Sequence, residues 1–343
     1  MSPDRYQHLL SRPADPDGTP TVPCDGGGPA GADAIAPDRT IVPLTTAMPP
    51  ALDADCWILS VPTAAGKTAL ALAFACRLDA EIVSVDSMAV YRGLDIGTAK
   101  PSAMDQAAVP HHCLDLVAPN AGFSVAQWLA AVREAVAEIR ERGKQILFVG
   151  GTPLYLRSLR DGLAPVPTED RDIRQRLSAE AAAAGPAALH ARLQAIDPAA
   201  AARIHPHDAK RLIRALEVAE VTGRPMSEVW EQGKADINTA SPAFTRQMLV
   251  VDLPRRILAD RIDRRVEAMF SGGIVEETDA ALRAGGISST ARQAAGYTES
   301  IDLIEGRLTR SAAIERTKAR TRQLAKRQLT WLRSFKDAIW ITG

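Results

Sequence analysis

Three clusters of reactive side chains each follow a short apolar run. The first is Val61-Pro62-Thr63-Ala64-Ala65-Gly66-Lys67-Thr68. Its last three residues match the end of the phosphate-loop pattern G-x-x-x-x-G-K-[ST]. In such a loop, backbone N–H groups and a helix N-terminus surround a phosphate, the lysine adds a point charge, and the hydroxyl can ligate Mg²⁺. Val61 stands where the pattern has its first glycine. A β-branched residue at positive φ is costly, so a loop that needs that conformation at this position must be rearranged. The second cluster is Asp86-Ser87, whose acid can be a metal ligand, a general base or a helix N-cap. The third is Gly150-Gly151-Thr152, whose glycines allow a ligand close to the backbone. No acid ends the run Gln145–Val149, where an ATP-hydrolysing loop protein would normally carry one. Kinases, nucleotide switches and transferases that release diphosphate can all use such a loop, so it does not by itself specify the chemistry.

The elements that must position these groups follow from the apolar pattern. Cys56–Val61, Glu81–Val85, Gln145–Val149 and Met248–Leu253 read as strands. Helices are expected over Ala69–Leu78, Ser124–Arg142 and Arg255–Phe270, with Ser124 and Gln127 at capping-box spacing and Gly143 as a stop. Strands alternating with helices predict an α/β fold, a phosphate-loop-type parallel sheet with right-handed crossovers. Ligands bind outside the carboxyl ends of the strands in such sheets, and all three clusters sit there. From about 169 to 245 the chain is rich in Ala, Arg and Leu, broken at Gly185-Pro186, Asp197-Pro198, His205-Pro206 and Gly223-Arg224-Pro225. It reads as a helical insertion domain between core segments 54–168 and 246–343. Arg307 to Lys336 reads as one long basic helix with ten Lys/Arg and a single acid, Glu315. Ordinary solvated helices mix signs, so a phosphate-contacting face is favoured there. Ala338–Ile341 can add a last short strand.

Composition sets outer limits. The 343 residues are 46% hydrophobic and 24% charged, enough for a packed core and roughly two domains. Residues 1–53 hold ten Pro and five Gly without apolar periodicity and read as a disordered extension with no secretory signal. No apolar run approaches the roughly 20 residues of a membrane helix. Lys and Arg number 41, as do Asp and Glu, so any nucleic-acid contact needs a local basic surface. Cys24, Cys56, Cys76 and Cys113 are scattered and form no C-x-x-C pair, which fits a reducing, cytoplasmic setting. His111-His112 and His205-Pro206-His207 lack metal-ligand spacing and read as packing or surface residues. Arg261 and Arg265 share a helical face; they reach the phosphate or pair with Asp260 or Glu267, and the spacing allows both.

Six further blocks occur in order. They are Ser84-Val85-Asp86-Ser87, Asp95-Ile96-Gly97-Thr98-Ala99-Lys100-Pro101, Gly150-Gly151-Thr152-Pro153-Leu154-Tyr155, Arg214-Ala215-Leu216-Glu217-Val218, Gln293-Ala294-Ala295-Gly296-Tyr297 and a run from Thr321 to Trp331. Over about 55 to 335 the chain closely resembles bacterial tRNA dimethylallyltransferases, which prenylate adenosine 37 beside the anticodon. That family usually has glycine at the position of Val61 and commonly serine at that of Ala65.

The resemblance implies transfer of the dimethylallyl group of dimethylallyl diphosphate to adenine N6, in tRNAs reading codons that begin with U, without consumption of ATP. It implies that Val61 to Thr68 hold the diphosphate with Mg²⁺ on Thr68. It makes Asp86 the base and Thr152 an active-site hydroxyl. It places Asp86, Ser87, Met88, Ala89, Arg174, Lys210, Arg211, Leu212, Ile213, Arg214 and the basic tail near tRNA, with Arg322, Lys326 and Arg327 on one side of the last helix. A monomer acting on the anticodon stem-loop is expected. Two other readings compete: a small-molecule kinase using the 169–236 region as a lid, and an RNA-binding module with a degenerate loop. The absent strand-end acid and the basic tail disfavour the kinase.

Overall fold

The computed structural model describes residues 56–162, 167, 169–232 and 247–342; the expected extension 1–53 lies outside them. Strands whose side chains are apolar on both faces must be covered on both sides, which favours a parallel sheet between helices. Four such runs form strands: β1 Trp57–Ser60, β2 Ala80–Val85, β4 Gln145–Gly150 and β5 Gln247–Asp252. Every residue of β1 and β2 is buried. With β3 His111–His112 and β6 Ile339–Thr342, the sheet has six strands in the order β3-β2-β4-β1-β5-β6, and every pairing is parallel.

Two edge strands complete it. β6, Ile339–Thr342, lies close to the expected 338–341. β3 is His111–His112 alone, too short for any alternation to reveal; both histidines are half-buried, and His112 pairs with Glu81 at 2.6 Å. The register aligns Leu59 with Val149 and Val85 with Gly150. The carboxyl ends of β1, β2 and β4 therefore open on one crevice. Gly150 is required by this closeness: a Cβ there would lie 2.1 Å from the Val85 carbonyl oxygen.

The helices begin where the chain supplies caps. α1, Lys67–Leu78, starts at Gly66, with φ 87° and no side-chain cap, so its first N–H groups stay available to a ligand. α2 is Ala103–Ala108. α3, Val125–Glu141, has the expected Ser124–Gln127 capping box and buries Trp128, Val132, Ala135 and Ile139 at helical spacing. Trp128 stacks on Tyr155 at 4.2 Å and donates to the Ser84 carbonyl at 3.1 Å, which ties β2 to α4, Pro153–Asp161.

Residues Arg157–Ala243 form a second compact unit, beginning earlier than 169 because it takes in the end of α4. Among the described residues it is helical, with α5 Arg171–Ala184, α6 Pro186–Ile196, α7 Pro198–Ala201 and α8 Ala209–Thr222. Pro186 and Pro198 occupy first helical turns, where the missing N–H costs nothing. Leu177, Leu189, Leu193, Leu212 and Leu216 form its core.

The chain then returns to the first unit with α9 Arg255–Ser271, α10 Ile274–Arg283, α11 Tyr297–Ile304 and α12 Arg310–Leu332. Thr309 caps α12, so the basic helix is shorter at both ends than 307–336. Its charge is also less bare than its own sequence implies. Arg316 pairs with Asp302, Lys318 with Glu267 and Glu315, Arg320 with Glu299, and Arg322 with Asp263. Most of these acids belong to α9 and α11, so counting acids within the run overlooked them.

Candidate active site

The loop from Val61 to Gly66 leaves β1 and turns into α1. Val61 is buried, 1% exposed. It is not one of the residues with positive φ; those conformations fall on Ala64 (65°) and Gly66 (87°). The backbone penalty expected for valine at the glycine position therefore does not arise. Instead Ala64 carries a left-handed backbone that costs an alanine about 1–2 kcal/mol. One internal bond, Ala65 N–H to the Pro62 carbonyl at 3.2 Å, closes the turn.

Three side chains from distant helices hold the loop. Arg261 donates to the Ala65 carbonyl at 3.3 Å, and Arg265 donates to Thr63 Oγ1 at 2.9 Å. Gln328 accepts from Thr63 N–H at 3.0 Å. Of the two alternatives for the arginine pair, these contacts favour the loop: Glu267 is taken by Lys318 instead. Arg265 Nε is buried without a partner. Burial lowers the affinity of this guanidinium for its proton, and the Asp86 charge opposes that shift. A cation so placed, with an unmet donor, suits an anion in the loop.

Across the crevice Lys67 Nζ stands 3.4 Å from Asp86 Oδ2. Asp86 also accepts from Met88 N–H at 2.9 Å. Burial pushes its carboxyl up, but the Lys67 ammonium and the Met88 and Ala89 N–H groups outweigh burial and leave it below the usual range. Asp86 is thus an ionised acceptor at neutral pH. Thr152 joins the β4 end to it by accepting from Ser87 N–H at 3.1 Å. A small cleft, open to solvent, lies beside Lys67, Thr68 and Asp86, with Ala71, Ile82 and Val149 as apolar walls. The loop, the acid and the hydroxyl thus converge as their strand ends imply.

Sequence spacing does not disclose the supports. Gln328 also donates to the Gly151 carbonyl at 3.0 Å. Glu277 accepts from the N–H groups of Asp95 and Ile96, both at 2.8 Å, and from Tyr297 Oη at 2.7 Å. Lys100 is buried against the Tyr91 carbonyl and the carboxylates of Asp95 and Asp115. Glu277 thus ties the 95–101 block to Tyr297 of the 293–297 block.

The residues expected near tRNA fall into three groups. Ser87, Met88 and Ala89 line the turn after β2. In the helical unit, Lys210 and Arg211 are exposed, Leu212 is fully buried in the core and Ile213 packs against it. Leu212 therefore offers no side chain to RNA. Arg174 and Arg214 both bond the buried Glu217, at 3.0 and 2.6 Å. On α12, Lys326 and Arg327 are exposed and make no ion pair among the described residues, while Arg322 is paired with Asp263.

Comparison with known proteins identifies the family. The family model described as IPP transferase matches residues 89–335. A tRNA dimethylallyltransferase of Anaeromyxobacter dehalogenans is 46% identical over 284 residues, 83% of this chain and 93% of that one. One from Halorhodospira halophila is 45% identical, covering 82% and 91%. Among solved structures, the full-length tRNA isopentenylpyrophosphate transferase of Bacillus halodurans has TM-score 0.60 at 38% identity, over 84% of this chain and 90% of its own. A eukaryotic dimethylallyltransferase acting on tRNA has TM-score 0.70 at 26% identity, over 84% and 73%. With a family model over most of its length and relatives of this identity, the chain belongs to the IPP transferase family, the tRNA dimethylallyltransferases.

Proposed function

We propose that the protein transfers the dimethylallyl group of dimethylallyl diphosphate to N6 of adenosine 37 in the anticodon stem-loop of tRNAs reading codons that begin with U. The observation that carries this reading is the Lys67–Asp86 pair, 3.4 Å apart at the mouth of an uncapped helix N-terminus. The cation and the loop N–H groups suit a departing diphosphate, and the ionised carboxylate suits an incoming amine. The N6–C1 bond forms as the C1–O bond to diphosphate breaks, the N6 proton passes to Asp86, and the electron pair leaves with diphosphate. Lys67, Arg265 and the N–H groups of α1 stabilise charge growing on the leaving oxygens. Adenine N6 is a weak nucleophile because its lone pair is delocalised, so a positioned acceptor lowers the barrier. Thr152 holds the turn beside Asp86. The purine must leave its stack to reach the crevice.

Mg²⁺ fits the donor set as an ion borne by diphosphate. No group of three or more His, Cys, Asp or Glu among the described residues could cage one, and Mg²⁺ normally keeps waters and shares phosphate oxygens. The Thr68 hydroxyl would hold it. When bound it would neutralise charge on the leaving diphosphate. No described helix is long and apolar enough to cross a membrane. We place the enzyme in the cytoplasm, in keeping with its scattered cysteines, and take it to act as a monomer.

One incubation tests the reading. An anticodon stem-loop carrying A36-A37 is mixed with labelled dimethylallyl diphosphate, Mg²⁺ and the protein. Label transfers to the RNA without ATP, and Asp86→Ala binds RNA but loses most turnover. ATP consumption with phosphorylation of an acceptor, or RNA binding without transfer, would overturn it.

A further inference from the structure

We propose that Gln328 is a positioning residue through which α12 fixes the phosphate loop and sets its spacing from the base; the inference rests on the reading that this loop takes diphosphate. The loop is weakly held by its own backbone, with one internal bond, Ala65 N–H to Pro62 O. Its first position is Val61 rather than the glycine of the usual pattern, and its alanine at 64 is left-handed. Its shape therefore depends on ties from outside.

Two of the three ties are arginines that a bound anion would attract. Gln328 is the neutral one. A primary amide has one acceptor oxygen and a donor nitrogen on opposite sides. Gln328 uses both: Oε1 accepts from Thr63 N–H and Nε2 donates to the Gly151 carbonyl, each at 3.0 Å.

The consequence runs further along the β4 turn. Gly151 precedes Thr152, which accepts from Ser87 N–H beside Asp86. One side chain thus links the cradle of the leaving group to the turn that carries the base. Gly151 is shaped to this contact. A Cβ there would lie 2.9 Å from Gln328 Nε2 and 3.2 Å from the Val61 carbonyl oxygen. Gln328 follows the exposed Lys326 and Arg327 on the same helix, so the element offered to RNA also bears on the diphosphate loop.

The test compares wild type, Gln328→Met, Gly151→Ala and the double variant, all as full chains. Methionine keeps the length and apolar stem but makes neither bond, and alanine at 151 displaces the amide from the other side. Four quantities are read: the Kd for inorganic diphosphate with Mg²⁺, the KM for the prenyl donor, the KM for tRNA, and Tm. Two half-buried hydrogen bonds are lost, so the diphosphate Kd and donor KM rise about ten-fold, while the tRNA KM stays within two-fold. The double variant is no worse than the worse single, because both break one tie. A merely structural role would lower Tm and the active fraction and leave the diphosphate Kd unmoved. An unchanged diphosphate Kd in Gln328→Met, or additive losses in the double, would overturn the inference. Should Gln328→Met fail to fold, the same readouts on Gly151→Ala decide. Wild type that neither binds diphosphate nor transfers label would instead overturn the functional reading on which this stands.

Discussion

Asp86 keeps its proton-accepting form in spite of burial. Burial alone raises a carboxyl, but the Lys67 ammonium and the N–H groups of Met88 and Ala89 reverse the sign. The carboxylate is therefore ionised at neutral pH and stays so down to below the ordinary aspartate value of about 3.9. Lys67→Met removes the largest opposing cause and leaves burial in place, so the carboxyl moves up. In single-turnover transfer, the acid limb of the pH profile shifts toward neutral in Lys67→Met, beyond the loss of donor affinity. A limb that stays where wild type has it would show that Asp86 is not the group that titrates. Lys67, Asp86 and Thr152 were readable because each follows a strand that the apolar pattern marks. Arg265 and Gln328 were not readable as supports. They reach Thr63 from 202 and 265 residues away, and local spacing carries no signal of that kind. Val61 was legible as a departure, but its consequence was not. Only backbone geometry shows the left-handed residues to be Ala64 and Gly66.

At the scale of elements, α8 shows how a helix with the expected polarity divides its charges. Lys210 and Arg211 face water, while Arg214 turns back on Glu217, which is fully buried and takes the Asp170 N–H and Arg174 as well. A resemblance that marks 210–214 as one stretch cannot separate exposed cations from those committed to an internal acid. Helical geometry does, since positions 212, 215 and 216 are buried. Glu217→Gln leaves Arg214 without a counter-charge and Arg174 with only the exposed Glu169, at a buried site, which costs about 3 kcal/mol. Discounting for the partial exposure of both arginines, Tm measured by circular dichroism falls by roughly 5 °C. An unchanged Tm would mean that the cluster is not a mainstay of the helical unit. The same limit hid β3: two histidines cannot display a period, and their strand exists only because β2 offers an open edge.

Taken whole, a chain of zero net charge can bind a polyanion only by segregating its cations. α12 does this along its length. Arg316, Lys318, Arg320 and Arg322 are matched by acids, most of them on α9 and α11, whereas Lys326 and Arg327 near its end, and Arg333 and Lys336 just beyond it, are exposed and make no ion pair among the described residues. The matched cations fasten the helix to its neighbours, and the unmatched ones remain free to displace counterions from RNA. The two groups differ in a measurable way. Each phosphate contact contributes about 0.7–0.9 to the slope of log K against log salt. Replacing Lys326 and Arg327 together by alanine flattens that slope by about 1.5 and weakens tRNA binding most at low salt. Arg322→Ala removes a charge already neutralised by Asp263, so it flattens the slope by less than half as much while lowering Tm. Equal slopes for the two substitutions would place the RNA contact evenly along α12 and refute the division. A slope unchanged by the double substitution would move the basic face to another part of the molecule.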